Sequence, residues 1–426
     1  MGLLMLSTGL DYTYGFSVAS PNRKKAKFFL WLSIVNNLGI LGIFKYYDFF
    51  AAQFQEGFEL IGLHTNPVLL NIALPVGISF YTFHGMSYVF DIYREKQKPV
   101  KNFVDYAVFV SFFPLLVAGP IERASHLLPQ VQKTRKFDYT QAVEGCRLIL
   151  WGMFKKVVIA DSLAPIVDAI FNNYQNESGL TLIVGAIAFS FQIYGDFSGY
   201  SDIALGTAKL FGFELLSNFT FPYFSRDIAE FWRRWHISLS SWFKDYLYIP
   251  LGGSKEGKWK AIRNTFVIFL VSGFWHGASW NFIAWGFIHA CGFLPLLLLK
   301  RNRRYTTDVV AEGKLFPNIG ELLQMSVTFA FVTLAWVFFR AETLEMALGF
   351  IEGFFNFGYV KMTIEPLVLL SLMLMLLIDW SHRQDARKML FIKNGLLRYL
   401  TYTVLIALVF VKFGIQEKST FIYFQF

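Results

Sequence analysis

The stretch NTFVIFLVSGFWHGASWNFIAWGFIHACGFLPLLLL, residues 264–299, is far longer than the roughly 20 apolar residues that carry a helix across about 30 Å of hydrocarbon. It predicts two membrane passes, or one long helix that breaks near Gly273–Gly277. Irregular backbone at membrane depth is tolerated only where protein buries it or water reaches it, so we expect a cavity in this region. His276 is the main polar side chain that interrupts the run.

The composition of the whole chain also indicates a membrane protein. Of its 426 residues, 55% are hydrophobic, 19% are aromatic and only 16% are charged, whereas globular domains carry about 25% charged residues. Further apolar runs are Phe28–Phe44, Val68–Phe90, Phe103–Ala118, Leu180–Tyr194, Leu322–Phe339, Leu367–Trp380 and Leu397–Phe413. These runs predict an all-α integral membrane protein, a polytopic helical bundle of about 9–11 membrane segments. Because no polar linker separates them, we expect one membrane domain over residues 1–426, most diagnostic at 196–290.

The formal net charge of +9 indicates cytoplasmic loops rich in Lys and Arg rather than nucleic-acid binding. A basic cluster at 23–27 precedes one span, an acidic loop at 48–59 follows it, and a second basic cluster at 94–101 follows the next span. Those loops therefore read as cytoplasmic, external and cytoplasmic. The basic residues of 301–304 and 383–393 fit two more cytoplasmic loops.

The segment RDIAEFWRRWHISLSSWFKDYLYIPLGGS, residues 226–254, predicts one amphipathic helix in or near the membrane interface, with basic residues toward the cytoplasm. Spacings of three and four place these residues on one face: Trp232, Trp235, Leu239, Trp242 and Tyr246. Arg234 and Lys244 lie largely opposite, and His236 lies at the edge of the stripe. A simple surface helix anchored by Trp and Arg is the alternative interpretation.

His276 permits two interpretations. The ordinary pKa of histidine lies near neutrality, and burial favours the neutral imidazole, which can accept a proton from a hydroxyl. Gly273 and Gly277 flank it and leave room for a substrate close to the backbone. Alternatively, the ring hydrogen-bonds a neighbouring helix and serves packing only.

Asp196 and Asp202 lie close to an apolar span, where a carboxylate is costly without a partner. We expect each to form a structural ion pair with Arg or Lys of the 226–244 helix. His84 lies within another apolar run and is a candidate for lining a cavity, although packing explains it as well. No histidine spacing suits a metal site, and Cys146 and Cys291 predict neither a disulfide nor a metal centre.

Four segments in this order resemble the membrane-bound O-acyltransferase family, and within it the bacterial alginate O-acetyltransferase-like branch. They are AGPIER (118–123), DFSGYSDIALGTAKLFGF (196–213), the 226–254 segment and GFWHGASWNFIAWG (273–286). The resemblance implies a helical bundle around a thinned centre with an acyl-transfer tunnel. It also implies that His276 is catalytic and His236 functionally important. The N-terminus looks about one span shorter than the family pattern, and position 84 carries His where that pattern expects Gln.

The resemblance further implies transfer of an acyl group from a cytoplasmic thioester to a hydroxyl. The acyl group expected first is acetyl, for O-acetylation of an exported or cell-wall polysaccharide. His276 would accept the hydroxyl proton and His236 would orient a substrate. The residues expected to bind the anionic donor are Trp232, Arg233, Arg234 and Lys244. Those expected to support the tunnel are Trp275, Asp196, Asp202 and His84.

We expect no metal and no tightly bound cofactor, with acetyl-CoA or another acyl thioester as a substrate. The expected partners are that donor, the lipid bilayer, and a polysaccharide or an intermediary periplasmic or extracellular acetyltransferase, with no nucleic acid. The expected location is the plasma (inner) membrane, with multiple passes. Two alternatives stay open: a D-alanyl transferase for teichoic acid, and a proton-coupled membrane transporter.

Overall fold

A computed structural model describes residues 2–360, 364–415 and 421–422, and within these ranges the chain is helical and contains no strand. Two compact units make it up. The first combines Met1–Lys136, Phe213–Leu215 and Gly277–Ser279. The second combines Phe137–Gly212, Leu216–His276 and Trp280–Phe426. The single membrane domain expected from the sequence stays a prediction.

The first unit contains six α-helices, which are α1 (Gly2–Val18), α2 (Arg23–Leu41), α3 (Tyr47–Leu60), α4 (Ile78–Tyr93), α5 (Phe103–Val110) and α6 (Ala124–Gln132). A π-helical turn, Gly42–Tyr46, joins α2 to α3, and a 3₁₀ turn, Phe113–Leu115, follows α5. Helices α1, α2 and α4 pack on one another around a buried polar cluster. In it, Asp11 accepts hydrogen bonds from Ser33 and Asn37 at 2.6 and 2.9 Å.

The second unit begins with α7 (Tyr139–Met153), α8 (Asp161–Asn172), α9 (Gly179–Leu210), α10 (Ile228–Arg234), α11 (Ile237–Phe243) and α12 (Lys258–His276). It continues with α13 (Trp280–Leu298), α14 (Ile319–Arg340), α15 (Leu344–Glu352), α16 (Pro366–Ser381) and α17 (Gly395–Ile415). Two π-helical turns, Phe154–Ala160 and Lys244–Tyr248, follow α7 and α11. The 3₁₀ turns are Tyr174–Asn176, Pro222–Phe224, Gly353–Phe355 and Ala386–Lys388.

The 32-residue helix α9 is largely buried and packs closely along α7. Glycines allow the approach: a Cβ atom at Gly152 would lie 2.5 Å from the carbonyl oxygen of Gly199, and one at Gly206 would lie 2.5 Å from that of Gly145. Small residues at such crossings let helices in membranes approach through their backbones. Ser178 caps the start of α9 by accepting a hydrogen bond from the amide of Thr181.

Among the residues that the structure describes, five stretches of helix are long and apolar enough to cross a membrane, namely Arg23–Leu60, Gly179–Leu210, Trp280–Leu298, Ile319–Arg340 and Gly395–Gly414. Two shorter apolar helical stretches are Phe103–Leu115 and Pro366–Ser381. The chain is therefore a multi-pass helical membrane protein, as predicted. These spans are fewer than the apolar runs of the sequence, because several of the runs lie in helices that are short or begin partway through the run. The run Val68–Phe90, for example, becomes helical only from Ile78.

The 264–299 run forms two helices, α12 and α13, which residues 277–279 connect. They pack as an antiparallel pair because two glycines allow very close contact. A Cβ atom at Gly273 would lie 2.2 Å from the carbonyl oxygen of Phe282, and one at Gly286 would lie 2.3 Å from that of Phe269. Of the two alternatives that the run allowed, the structure therefore has separate helices rather than one interrupted helix.

Candidate active site

His276 is the last residue of α12 and is buried, with only 8% of its surface exposed. Aromatic rings surround it: the centroid of its ring lies 4.9 Å from that of Trp275 and 5.2 Å from those of Trp285 and Phe339. The C-terminal carbonyls of α12 carry partial negative charge, which stabilises nearby positive charge by about 0.3–1 kcal/mol, and by up to ~2 kcal/mol in partly buried sites. This position suits a base that becomes positively charged for a moment.

His236 interrupts the segment that the sequence predicted as one amphipathic helix, so that prediction is wrong. Its backbone lies in the left-handed region (φ 44°, ψ 54°), between the end of α10 and the start of α11. This conformation costs a non-glycine residue roughly 1–2 kcal/mol. Backbone hydrogen bonds to a neighbouring segment hold the bend, from Ile237 to the carbonyl of Asn218 and from Thr220 to that of Arg234. The aromatic stripe is not a lipid-facing surface, since Trp235 is 97% buried.

The bend brings His236 to His276, with 6.5 Å between their ring centroids. His236 is only 1% exposed, and burial lowers its pKa to about 3, because removal from water penalises the charged imidazolium. Its ring packs against Phe197 and Trp275 at 4.7 and 6.2 Å. Two histidines that lay in separate motifs of the sequence therefore form one buried pair, in which His236 is neutral.

A third buried histidine, His289, lies beside this pair. Its ring centroid is 4.9 Å from that of Trp285, which also contacts His276, and its Nδ1 accepts a hydrogen bond from Trp232 Nε1 at 3.3 Å. Sequence analysis did not select His289, because no motif distinguishes it. The available signal was its place one helical turn after Trp285 on α13, which puts both on one face.

A cavity of about 630 Å³ lies within the second unit, and none of these three histidines is among the residues that line it. In the part of the chain that the structure describes, no Asp or Glu lines it. Six basic residues do: Arg233, Lys244, Lys255, Lys258, Lys300 and Arg303. Its lining continues along α12 through Thr265 and Phe269 to Ser272. Ser272 lies one turn before His276 on the same helical face. The cavity therefore combines a basic wall with an apolar end close to the histidine pair.

The adjacent arginines of α10 have different surroundings. Arg233 lines the cavity and donates from Nη1 to the carbonyl of Asn302 at 3.0 Å, while its Nε and Nη2 have no hydrogen-bond partner among the described residues. Arg234 does not line the cavity. Its Nη2 donates to buried Glu230 at 2.8 Å, which makes it part of an ion pair within the unit.

The sequence model of the membrane-bound O-acyltransferase family matches residues 76–336. The chain belongs to this family. It is 39% identical to the probable alginate O-acetylase AlgI of Pseudomonas aeruginosa over 82% of this chain and 65% of that protein. It is also 33% identical to the peptidoglycan O-acetyltransferase of Helicobacter pylori, over 100% of this chain and 87% of that protein. A more distant relative, the teichoic acid D-alanyltransferase of Streptococcus thermophilus, is 30% identical over 51% of this chain and 56% of that protein.

The resemblance that the four motifs indicated is thus confirmed: the chain is a member of a family of membrane acyltransferases. The chain spans about two thirds of the length of the P. aeruginosa relative (65%). The family match contains α4 and ends within α14, so it includes both histidines and the whole lining of the basic cavity.

In this O-acyltransferase family member, Asp196 and Asp202 do not pair with the 226–244 segment, and that prediction is wrong. Asp202 pairs with Lys155 at 2.6 Å and Asp196 with Lys156 at 2.6 Å. Both lysines lie in the π-helical turn after α7, which widens the helix and directs two consecutive lysines toward α9. The sequence did not reveal this because the turn has no distinctive residue pattern. The two carboxylates therefore join α9 to that turn.

The other residues expected to support the tunnel lie in different places. Trp275 directly precedes His276 and packs on it. His84 lies in α4 of the first unit, fully buried, where its Nε2 accepts a hydrogen bond from the backbone amide of Glu122 at 3.3 Å. Trp232 and Lys244, which were expected to bind the donor, both line the basic cavity.

Proposed function

We propose that this protein transfers an acetyl group from acetyl-CoA to a hydroxyl, for O-acetylation of an exported or cell-wall polysaccharide. The observation that carries the proposal is the buried pair of His236 and His276, one helical turn from a cavity with a basic wall. The acetylases named among the relatives support the choice of acetyl group and glycan. The acceptor at this chain is the polysaccharide or an intermediary periplasmic or extracellular acetyltransferase.

His276 acts as the general base in this proposal. A ring nitrogen accepts the proton of the acceptor hydroxyl, and the hydroxyl oxygen forms a bond to the carbonyl carbon of the thioester. The carbon–sulfur bond then breaks, and the departing sulfur takes the proton from the imidazolium. The products are an ester and a thiol, and His276 is neutral again. General-base help of this kind contributes about 10²–10⁴-fold to the rate.

The basic cavity binds the donor in this proposal. CoA carries a diphosphate and a further phosphate on its ribose, and the six basic side chains meet that charge at the wall of the cavity. The pantetheine arm runs along the apolar lining of α12 toward Ser272, which brings the thioester close to His276. Because the cationic loops of the sequence read as cytoplasmic, the donor enters from the cytoplasm and the protein resides in the plasma (inner) membrane.

The test uses a deletion strain that is complemented with the wild-type protein, His276→Ala or His64→Ala, a matched control at an exposed histidine of the first unit. Ester-linked acetate is measured in extracellular polysaccharide and peptidoglycan, per amount of folded protein. We expect His276→Ala to abolish the ester and His64→Ala to retain it. Wild-type ester in the His276→Ala strain overturns the proposal. With the acetate ester intact, loss of ester-linked D-alanine would favour a D-alanyl transferase instead. Loss of uptake driven by a pH gradient would favour a proton-coupled transporter.

A further inference from the structure

Asn218 holds the imidazole of His236 in one orientation. The Oδ1 atom of Asn218 lies 3.0 Å from His236 Nδ1 and 2.9 Å from Ser238 Oγ, and the backbone amide of Ser238 also points to it at 3.4 Å. On its other side, Asn218 Nδ2 donates to Ser201 Oγ at 3.2 Å. Asn218 is itself only 2% exposed. Its amide is therefore anchored on both sides and cannot rotate without losing bonds.

This geometry assigns the proton of His236. A backbone amide can only donate, so the atom of Asn218 that faces Ser238 must be the oxygen. The same oxygen then accepts from His236, which places the ring proton on Nδ1 and a lone pair on Nε2. His236 Nε2 is buried and has no hydrogen-bond partner among the described residues. The lone pair is therefore available to a group that the substrate brings.

We propose that Asn218 is a positioning residue. It fixes His236 so that Nε2 accepts a hydrogen bond from an O–H or N–H group of the molecule that receives the acyl group, the acyl acceptor. This inference rests on the proposed acyl transfer. His236 is assigned to the acyl acceptor because neither it nor Asn218 lines the basic cavity of the donor, and because its ring lies 6.5 Å from that of His276, which takes the proton of the acceptor hydroxyl. With His276 taking the reacting proton, His236 holds a second donor group of the same molecule. The acyl acceptor is thereby held at two points, which limits the rotation of its reacting hydroxyl relative to the thioester carbonyl.

The side chains recorded against the His236 ring from neighbouring elements are Phe197 of α9 and Trp275 and His276 of α12. Of these side chains, only that of His276 is ionisable. A charge introduced at position 218 therefore acts on the protonation of His236 and His276 with no opposing charge among these contacts. An aspartate there still accepts from Nδ1 but adds a negative charge, which favours the imidazolium.

The kinetic test uses inside-out membrane vesicles that contain the full chain, supplied with radiolabelled acetyl-CoA. For Asn218→Ala we expect the maximal rate per folded molecule to fall about 10- to 100-fold, by analogy with the loss of partners that orient metal-bound histidines. The KM for acetyl-CoA should stay within about twofold, because uniform donor binding is unchanged. Asn218→Asp should have most of the wild-type rate at alkaline pH. As the pH is lowered, this variant should lose its activity at a higher pH than the wild type does, because the added negative charge favours the imidazolium.

The matched control is Asn37→Ala, which removes an equally buried amide that bonds to Asp11 in the first unit. We expect less folded protein but an unchanged rate per folded molecule. A second measurement records the nitrogen resonances of ¹⁵N-labelled histidine, with the His236 signal assigned by its loss in His236→Gln. In the wild type Nδ1 should carry the proton, and in Asn218→Ala the proton should exchange between the two nitrogens.

A wild-type rate in Asn218→Ala, while His236→Ala and His276→Ala are inactive, overturns the positioning role and leaves the acyl transfer intact. The positioning role is also overturned if Asn218→Ala loses activity, Asn218→Asp does not restore it, and the tautomer of His236 stays unchanged. Those results would mean that Asn218 only stabilises the structure. A tenfold rise in KM for acetyl-CoA overturns the assignment of His236 to the acceptor. Full activity in His276→Ala defeats the proposed function itself.

Discussion

The imidazole rings of His236 and His276 lie 6.5 Å apart between centroids, although one sits at a bend between α10 and α11 and the other at the end of α12. Both are nearly fully buried. The backbone of His236 is left-handed, which ends α10 and starts α11 at the residue that faces His276. The pair therefore depends on a local conformation that costs energy and that the hydrogen bonds around Asn218 maintain.

The two histidines should act as a unit. We expect His236→Ala and His276→Ala each to lower the rate of acetyl transfer by about 10²–10⁴-fold. The double variant should be no slower than the slower single variant, because one acceptor molecule is held by both rings and either loss releases it. Initial rates in vesicles measure this. Losses that multiply would indicate two independent roles.

Arg233 and Arg234 should differ despite their adjacency. Arg233→Ala should raise the KM for acetyl-CoA by about 10- to 100-fold with little change in the maximal rate, as expected for loss of one charged hydrogen bond of about 1.5–3 kcal/mol. Arg234→Ala should instead destabilise the fold by about 1–3 kcal/mol, because it leaves buried Glu230 with fewer partners. Kinetics and thermal unfolding in detergent separate the two effects. The reverse pattern would place Arg234 at the donor.

The basic wall of the cavity should make donor binding sensitive to salt and to phosphate count. Raising the ionic strength should raise the KM for acetyl-CoA, because screening weakens attraction between exposed charges. Acetyl-pantetheine, which lacks the phosphates of CoA, should lose this dependence and bind more weakly. Lys258→Ala removes a residue of the basic wall and should weaken the dependence of KM on salt. The control is Lys24→Ala, which removes a basic residue of the first unit that does not line the cavity. A salt-independent KM would exclude the cavity as the phosphate site.

Gly273 should tolerate no side chain. In Gly273→Ala the new Cβ atom would lie 2.2 Å from the carbonyl oxygen of Phe282, so α12 and α13 must separate and His276 must shift. We expect a lower melting temperature and a loss of activity of about 100-fold, the usual cost of a 1 Å displacement of a catalytic group. Gly39→Ala in α2 meets no atom within 4 Å and is the control. Equal behaviour of the two variants would contradict the close helix contact.

Burial of His236 should make stability fall in acid. Its folded pKa of about 3 lies below the ordinary histidine value of 6.5, so the unfolded chain binds more protons between these values. The contribution is complete above about pH 6.5 and is lost as the pH falls toward 3, at about 1.4 kcal/mol for each pH unit. His236→Asn should flatten this part of the profile of melting temperature between pH 7 and pH 5. His64→Asn should leave it unchanged, and an identical slope in all three proteins would refute the assignment.

Much of the site could be predicted from local residue patterns. His276, Trp232, Arg233 and Lys244 were selected because a polar group in an apolar run and a basic, Trp-rich segment are visible in the sequence. The partners of these groups could not be predicted. Lys155 and Lys156 pair with Asp202 and Asp196 through a π-helical turn that no pattern announces.

The sequence by itself determined the helical membrane fold, the family and the two histidine motifs, because hydrophobic length and short-range residue spacing encode these directly. Only the tertiary structure decided that the 226–254 segment bends at His236, that Asn218 sets its tautomer, and that Arg233 rather than Arg234 faces the cavity. Those outcomes depend on hydrogen bonds and close helix contacts between residues distant in sequence. Neither periodicity nor composition carries information about such contacts.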